Sequence, residues 1–283
     1  MGLPRSGTSW LAKAISLSPR VSYYFEPDKR LGNEYMYRYL PPGRVDPGLA
    51  AFINKSLHGR INDEYTIAEQ GLSEILSHPF SKTVLVKLVR LPLALDWLAK
   101  QLPDLAVLQI VRHPAPQFLS WRDRKWNPGR ALKLLLGQQE LMDGPLSPYK
   151  DVMRAAGSFW EQAGAFWGAV AKLQLQSHRE GWYLFEHEWY CGNAVDRIRW
   201  QLEQLGLSWT PEIERFISGG TGRPSGPGYG KHRDSRAEIH KWEDKLTATE
   251  LQELEATVKY FELPFYPGLD PEHTWQSGNR NIP

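Results

Sequence analysis

Four stretches of the chain are apolar almost without interruption and rich in β-branched or aromatic residues: Val21–Phe25, Thr83–Val89, Leu105–Val111 and Trp182–Phe185. Half-exposed strands alternate apolar and polar positions, whereas near-continuous runs of this kind suit strands covered on both faces, as in parallel sheets. Between them the apolar spacing changes to a helical period. Helices are predicted at Ser9–Leu17, across Leu93/Leu95/Trp97/Leu98/Leu102, at Gln117–Asp123 and Ala131–Met142, along a run from Tyr149 to about Gln176, and at Ala194–Leu205 and Thr249–Phe261. Strand alternating with helix predicts an α/β architecture, a P-loop-like three-layer fold whose central, mostly parallel sheet is flanked by helices.

One segment breaks the pattern. From about 218 to 236 the chain carries Gly219, Gly220, Gly222, Gly226, Gly228 and Gly230 with Pro224 and Pro227, so it reads as a mobile loop or a linker. About 47 residues follow it, too few for a comfortable separate domain. A single domain over 1–283 is therefore expected, with the stretch from Lys241 to Pro267 packing back on the same core. No internal repeat is visible.

Composition narrows the function. The 283 residues include 34 Lys+Arg and 32 Asp+Glu, a net charge of +2, so bulk charge gives no support to a nucleic-acid partner. Any anion site must be local. Cys191 is the one cysteine, which excludes an intrachain disulfide framework and a multi-cysteine zinc site and fits a reducing, cytoplasmic setting. No apolar run approaches the roughly 20 residues of a membrane span, and no signal peptide is visible at the N-terminus.

The segment Gly2-Leu3-Pro4-Arg5-Ser6-Gly7-Thr8-Ser9 has the spacing of a phosphate-binding loop, with Thr8 where a nucleotide triphosphatase has lysine. In such enzymes the lysine reaches the terminal phosphates, the next hydroxyl holds Mg²⁺, and a strand-end acid completes the metal site. Here the strand ends offer Lys87, Arg90 and Arg112. A metal-free nucleotide with a terminal anion, neutralised by side-chain cations and helix-end amides, fits this set better. By itself the same glycine pattern also suits a plain tight turn before a helix.

Pro4-Arg5-Ser6-Gly7-Thr8-Ser9-Trp10 resembles the 5′-phosphosulfate loop of the sulfotransferase superfamily, whose members use 3′-phosphoadenosine 5′-phosphosulfate, PAPS. The resemblance implies that the amides of Arg5 to Ser9 and the side chains of Arg5, Thr8 and Ser9 hold the phosphosulfate, within a nucleotide-binding loop that includes Ser6, Gly7 and Trp10. Val107-Leu108-Gln109-Ile110-Val111-Arg112-His113-Pro114, with Ser120 eight residues after Arg112, resembles the family's second signature. It implies that Arg112 and Ser120 grip a 3′-phosphate, the arginine through a charge-assisted fork. His113 stands where the family usually has Asp. Lys241-Trp242 is similar to the C-terminal segment that many members fold over the nucleotide, with Arg233 and Arg236 before it. A packing role for Trp242 stays open.

Sulfuryl transfer needs a base for the acceptor hydroxyl and cations for the leaving oxygen. Glu26, in Phe25-Glu26-Pro27 just past the first strand, is similar to the glutamate of carbohydrate sulfotransferases and is the expected base; an ion pair with Lys29 or Arg30 on a solvated turn is the plainer alternative. His113 and His58 are other candidates, because some members use histidine. Lys87 interrupts an apolar strand, and an unpaired buried ammonium is costly. By resemblance to the tyrosyl-protein branch it faces the sulfate-bridging oxygen; otherwise it snorkels from the strand end. Glu26, Lys87 and Arg5 thus form the expected catalytic set, with Arg90 near the acceptor or the loop and Glu186 structural.

Trp160 and Trp167, seven apart with Phe159 and Phe166, have the spacing of a core stripe, while Trp121 and Trp126 among Arg122, Arg124 and Lys125 suggest an acceptor surface. The expected activity is metal-independent transfer from PAPS to a hydroxyl, carbohydrate-like acceptors favoured, leaving 3′-phosphoadenosine 5′-phosphate. A P-loop nucleotide kinase and a non-catalytic nucleotide-binding relative are the alternatives. Because only Met1 precedes the loop where the family has a strand, the strand is supplied differently or the chain is shortened there.

Overall fold

In the computed structural model, which describes residues 1–58, 60, 81–219 and 239–272, the four apolar runs are strands: β1 (Val21–Phe25), β2 (Thr83–Lys87), β3 (Leu108–Val111) and β4 (Tyr183–Glu186). β1 pairs with β2 in parallel, from Val21 opposite Thr83 to Phe25 opposite Lys87. β3 pairs with β4 in parallel, from Leu108 opposite Tyr183 to Val111 opposite Glu186. The expected central sheet is thus two parallel pairs among the described residues. Met1 occupies a single ladder position beside β3: its ammonium donates to the Leu108 carbonyl at 2.5 Å, and the Ile110 N–H donates to the Met1 carbonyl at 2.9 Å.

β2 is shorter than its apolar run because the N–H groups of Val89 and Arg90 donate to the Asp28 carboxylate instead of extending the ladder. It is also less covered than a fully buried strand, with Thr83 exposed.

The helices are α1 (Thr8–Ser16), α2 (Pro47–Leu57), α3 (Leu95–Gln101), α4 (Pro114–Asp123), α5 (Pro128–Leu136), α6 (Gln139–Asp143), α7 (Lys150–Ala155), α8 (Phe159–Gln176), α9 (His187–Gly192), α10 (Ala194–Gln204), α11 (Pro211–Ile217) and α12 (Ala248–Val258). The run from Tyr149 is two helices, α7 and α8. The first ends at Ala155, and Ser158 caps the second, accepting from the Glu161 N–H while Glu161 accepts from the Ser158 N–H. This reciprocal cap satisfies helix-end donors that would otherwise be bare.

Neighbouring positions on β3 and β4 face opposite layers. Val111 and Leu184 join one core with α4, α5, α8 and α12, and Ile110 and Phe185 join another with α1, α9, α10 and α11. That is the α/β layering expected from alternating elements. Trp160 and Trp167 are buried in the first core, and Trp242, Phe261, Phe265 and Tyr266 return to it from the C-terminal stretch. α12 approaches α8 closely: a Cβ on Gly164 would lie 2.1 Å from Thr257 Oγ1 and 2.7 Å from the Leu254 carbonyl oxygen. Among the described residues no helix is long and apolar enough to cross a membrane.

Candidate anion-binding and transfer site

The loop after Met1 turns tightly, the Ser6 N–H donating to the Leu3 carbonyl at 3.2 Å. Arg5 (φ 71°) and Gly7 (φ 89°) both take left-handed backbone, and Gly7 caps α1 with no side-chain hydrogen bond to the helix amides. The first N–H groups of α1 therefore lack intrahelical partners at the positive end of the helix dipole, an arrangement suited to an anion.

α4 fixes this loop from one side. Arg5 Nε donates to Ser120 Oγ at 2.9 Å, Gln117 Nε2 and Trp121 Nε1 donate to the Pro4 carbonyl at 2.9 and 3.2 Å, and Arg112 Nη1 donates to the Arg5 carbonyl at 3.0 Å. The two sequence motifs are thus physically joined. Trp121 is buried and serves as a prop for the loop, so it does not belong to the suggested Trp121/Trp126 acceptor surface, while Trp126 is exposed.

From the other side comes the end of β2. Lys87 Nζ lies 2.5 Å from Ser9 Oγ and 2.5 Å from Glu26 Oε1, and Lys29 Nζ lies 2.7 Å from Glu26 Oε2. Lys87 is 3% exposed and stands 4.1 Å from the centre of the Phe25 ring. It is therefore paired within the site rather than snorkelling to solvent. Burial works to raise the pKa of Glu26, but the Lys87 and Lys29 ammoniums outweigh it and hold the carboxyl below the usual range. Burial pushes Lys87 down, against the pull of Glu26. Glu26 itself has left-handed backbone, φ 45° and ψ 50°, rare for a residue with a side chain.

Behind the loop lies a buried group that sequence reasoning missed. Glu188, 2% exposed, accepts from the Tyr266 hydroxyl and, at 3.4 Å, from the His113 N–H; its Oε1 lies 3.9 Å from Arg112 Nε and 3.8 Å from His187 Nδ1. Burial alone would raise its pKa, yet His187 and Arg112 bring it to about 2. Burial works against charge on His187, but Cys191, whose sulfur is 3.6 Å from the ring, and Glu188 raise it to about 9. The available signal was an acid two residues past an apolar strand end, inside the apolar stretch of α9.

Other expected site residues lie elsewhere. His113 is fully buried, its Nε2 donating to the Leu269 carbonyl at 2.9 Å and its Nδ1 accepting from the Ala115 N–H at 3.2 Å, and burial lowers its pKa to about 4. With both ring nitrogens engaged it is a capping residue of α4, not a base. His58 sits at the end of α2 against the Asn54 carbonyl. Trp242 stacks on the His113 ring at 4.7 Å and is buried, with Lys241 exposed beside it. Trp10 meets the His187 ring edge-on at 6.1 Å. The Gly/Pro-rich loop from 220 onward, with Arg233 and Arg236, lies outside the described residues.

Ser6 Oγ and Arg112 Nε are buried without a hydrogen-bond partner among the described residues. Buried donors of this kind are costly unless something supplies their acceptors. Oxygens of a bound phosphate or sulfate would do so, so the residues present fit a small anion at the loop. Among the described residues no group of three or more His, Cys, Asp or Glu is arranged to hold a metal ion.

No family model and no curated protein matches the chain. Among solved structures the chain is similar to a sulfotransferase from Alicyclobacillus acidocaldarius, at 17% identity over 92% of this chain and 94% of that one, with a TM-score of 0.42.

Proposed function

We propose that the protein is a PAPS-dependent sulfotransferase that moves a sulfuryl group to an acceptor hydroxyl, carbohydrate-like acceptors favoured, within a single domain. The observation that carries this reading is the meeting of three cationic side chains at one loop. Arg5 bonds Ser120, Arg112 bonds the Arg5 carbonyl, and Lys87 bonds Ser9 beside Glu26. Such a cluster suits a small polyanion without any surplus of charge over the whole chain.

PAPS supplies the sulfuryl group when bound. Arg5, Ser6, Gly7, Thr8 and Ser9 hold its phosphosulfate end, and Arg112 and Ser120 its 3′-phosphate. Lys87 is released from Glu26 as it turns toward the bound anion, where its charge offsets that of the leaving oxygen. With Lys87 withdrawn, Glu26 loses one of the two ammoniums that hold it down while its burial persists, so its basicity rises and it takes the acceptor's hydroxyl proton at Oε1. Arg5 and Lys87 provide the positive charge that a metal ion provides in phosphoryl transfer.

Incubation of the chain with sulfur-labelled PAPS and a panel of sugar, tyrosine-peptide and small-molecule hydroxyls tests the reading. Labelled acceptor is expected without added Mg²⁺, and 3′-phosphoadenosine 5′-phosphate should raise the melting temperature in a manner abolished by Arg5→Ala or Arg112→Ala. No melting shift at saturating nucleotide overturns it.

A further inference from the structure

We propose that Asp28 is a positioning residue for the Glu26–Lys87 pair: it fastens the turn after β2 to the turn after β1 and stays as the counter-ion of Lys87 when Glu26 takes up a proton. The proposal rests on the roles given above to Glu26 and Lys87.

Asp28 is fully buried in the 3₁₀ turn Pro27–Arg30. Its Oδ2 accepts from the N–H groups of Val89 at 2.8 Å and Arg90 at 2.6 Å, and its Oδ1 has no hydrogen-bond partner among the described residues. The carboxylate thus stands two positions past Glu26 and holds the backbone two and three positions past Lys87. Glu26 carries the left-handed backbone that aims its side chain at Lys87. Such a conformation persists only where its surroundings hold it, and the ring of Pro27 with the two bonds from Asp28 does so.

Charge gives the second half of the argument. The ionisable groups whose charges act on Lys87 are Glu26, Asp28 and Lys29 from the turn after β1 and the Met1 terminus, while Arg90 and Tyr37 stand by Asp28. Of these only Glu26 and Asp28 are carboxylates. Once Glu26 is protonated, Asp28 is the remaining carboxylate of this set that favours the charged form of Lys87, alongside the bound anion. Burial raises the pKa of Asp28 to about 6, in spite of its two backbone donors. Ionising it therefore costs the folded state stability as pH rises from about 4 to about 6, and the cost persists above that. The retained charge points to an electrostatic duty.

The ε-amines of isotopically labelled lysine, titrated by NMR with Lys87 assigned through Lys87→Met, test this without any turnover. Lys87 is expected to titrate lower in Glu26→Gln than in the parent, and lower again by about one unit, roughly tenfold in proton affinity, in Glu26→Gln/Asp28→Asn. Asp28→Asn alone should reduce kcat for sulfate transfer about tenfold and move the alkaline limb of its pH profile downward. Nucleotide Kd should stay within about threefold, and melting at about pH 7.5 should be no lower than in the parent. Identical Lys87 titration in the single and double variants overturns the proposal, as does an Asp28→Asn protein that loses melting temperature and nucleotide affinity together. If the parent transfers no sulfate, the enzymatic reading fails while the Lys87 titration still decides the role of Asp28.

Discussion

Arg5 and Ser120, 115 residues apart, meet through a 2.9 Å hydrogen bond from Nε to Oγ. The bond fixes the guanidinium over a loop whose backbone is already left-handed at Arg5. Removing the hydroxyl leaves the arginine free to rotate but opens no large cavity. Ser120→Ala should therefore weaken 3′-phosphoadenosine 5′-phosphate binding by roughly 1–2 kcal/mol, about tenfold in Kd, while shifting the unliganded melting temperature little. Isothermal titration calorimetry reads the first and a thermal scan the second; an unchanged Kd would remove Ser120 from the nucleotide site.

Lys87 and Glu26 form a buried pair, 3% and 11% exposed at the side chain. Breaking such a pair from one side strands a charge, whereas replacing both partners removes the desolvation cost along with the attraction. Lys87→Met should destabilise the fold by about 3–5 kcal/mol, and Lys87→Met/Glu26→Gln should be less damaging than the sum of the single changes. Denaturant titration of the four proteins measures the coupling. Purely additive losses would mean that the two side chains do not act as a pair.

The strand cores were legible because their cause is local. Val21–Phe25 matches its observed bounds, and the loop-to-α1 junction follows from the spacing of Gly2, Gly7 and Thr8. What escaped depends on partners distant in the chain. The run Thr83–Val89 loses its last two positions to a carboxylate 61 residues away, since Asp28 takes the Val89 N–H. His113 looked like a free imidazole at a strand end, but Leu269, 156 residues on, and the face of Trp242 enclose it. Glu188 carries no motif at all. Its importance lies in Arg112, His113, His187 and Tyr266 converging on one carboxylate, a relation that no window of sequence contains.

That convergence gives the pH dependence a definite sign. His187 has a folded pKa of about 9 against an ordinary value of 6.5. Its contribution is fully present below about 6.5 and disappears as pH rises through about 9, a change on the order of 3 kcal/mol. Glu188, depressed to about 2 from 4.5, contributes above about 4.5 and loses that contribution as pH falls through about 2. The parent should thus lose melting temperature between about pH 7 and 10, and His187→Gln should flatten that limb while leaving the acid limb in place. Parallel alkaline limbs in the two proteins would show that His187 is neutral in the fold.

Gly7 meets the same imidazole from the loop side. A Cβ there would lie 2.0 Å from His187 Cδ2 and 2.7 Å from Nε2, at a φ of +89° that L side chains rarely adopt. Two costs are superposed, a steric one that depends on the ring and a backbone one that does not. Gly7→Ala should lower both melting temperature and nucleotide affinity. Adding His187→Ala should recover the steric part and leave a residue of about 1–3 kcal/mol from the left-handed backbone. Because the ring also supplies charge behind the loop, the double variant should regain melting temperature more fully than nucleotide affinity. Equal recovery of both would reduce His187 to a packing neighbour of the loop, and no recovery of either would place the whole cost of Gly7→Ala in the backbone.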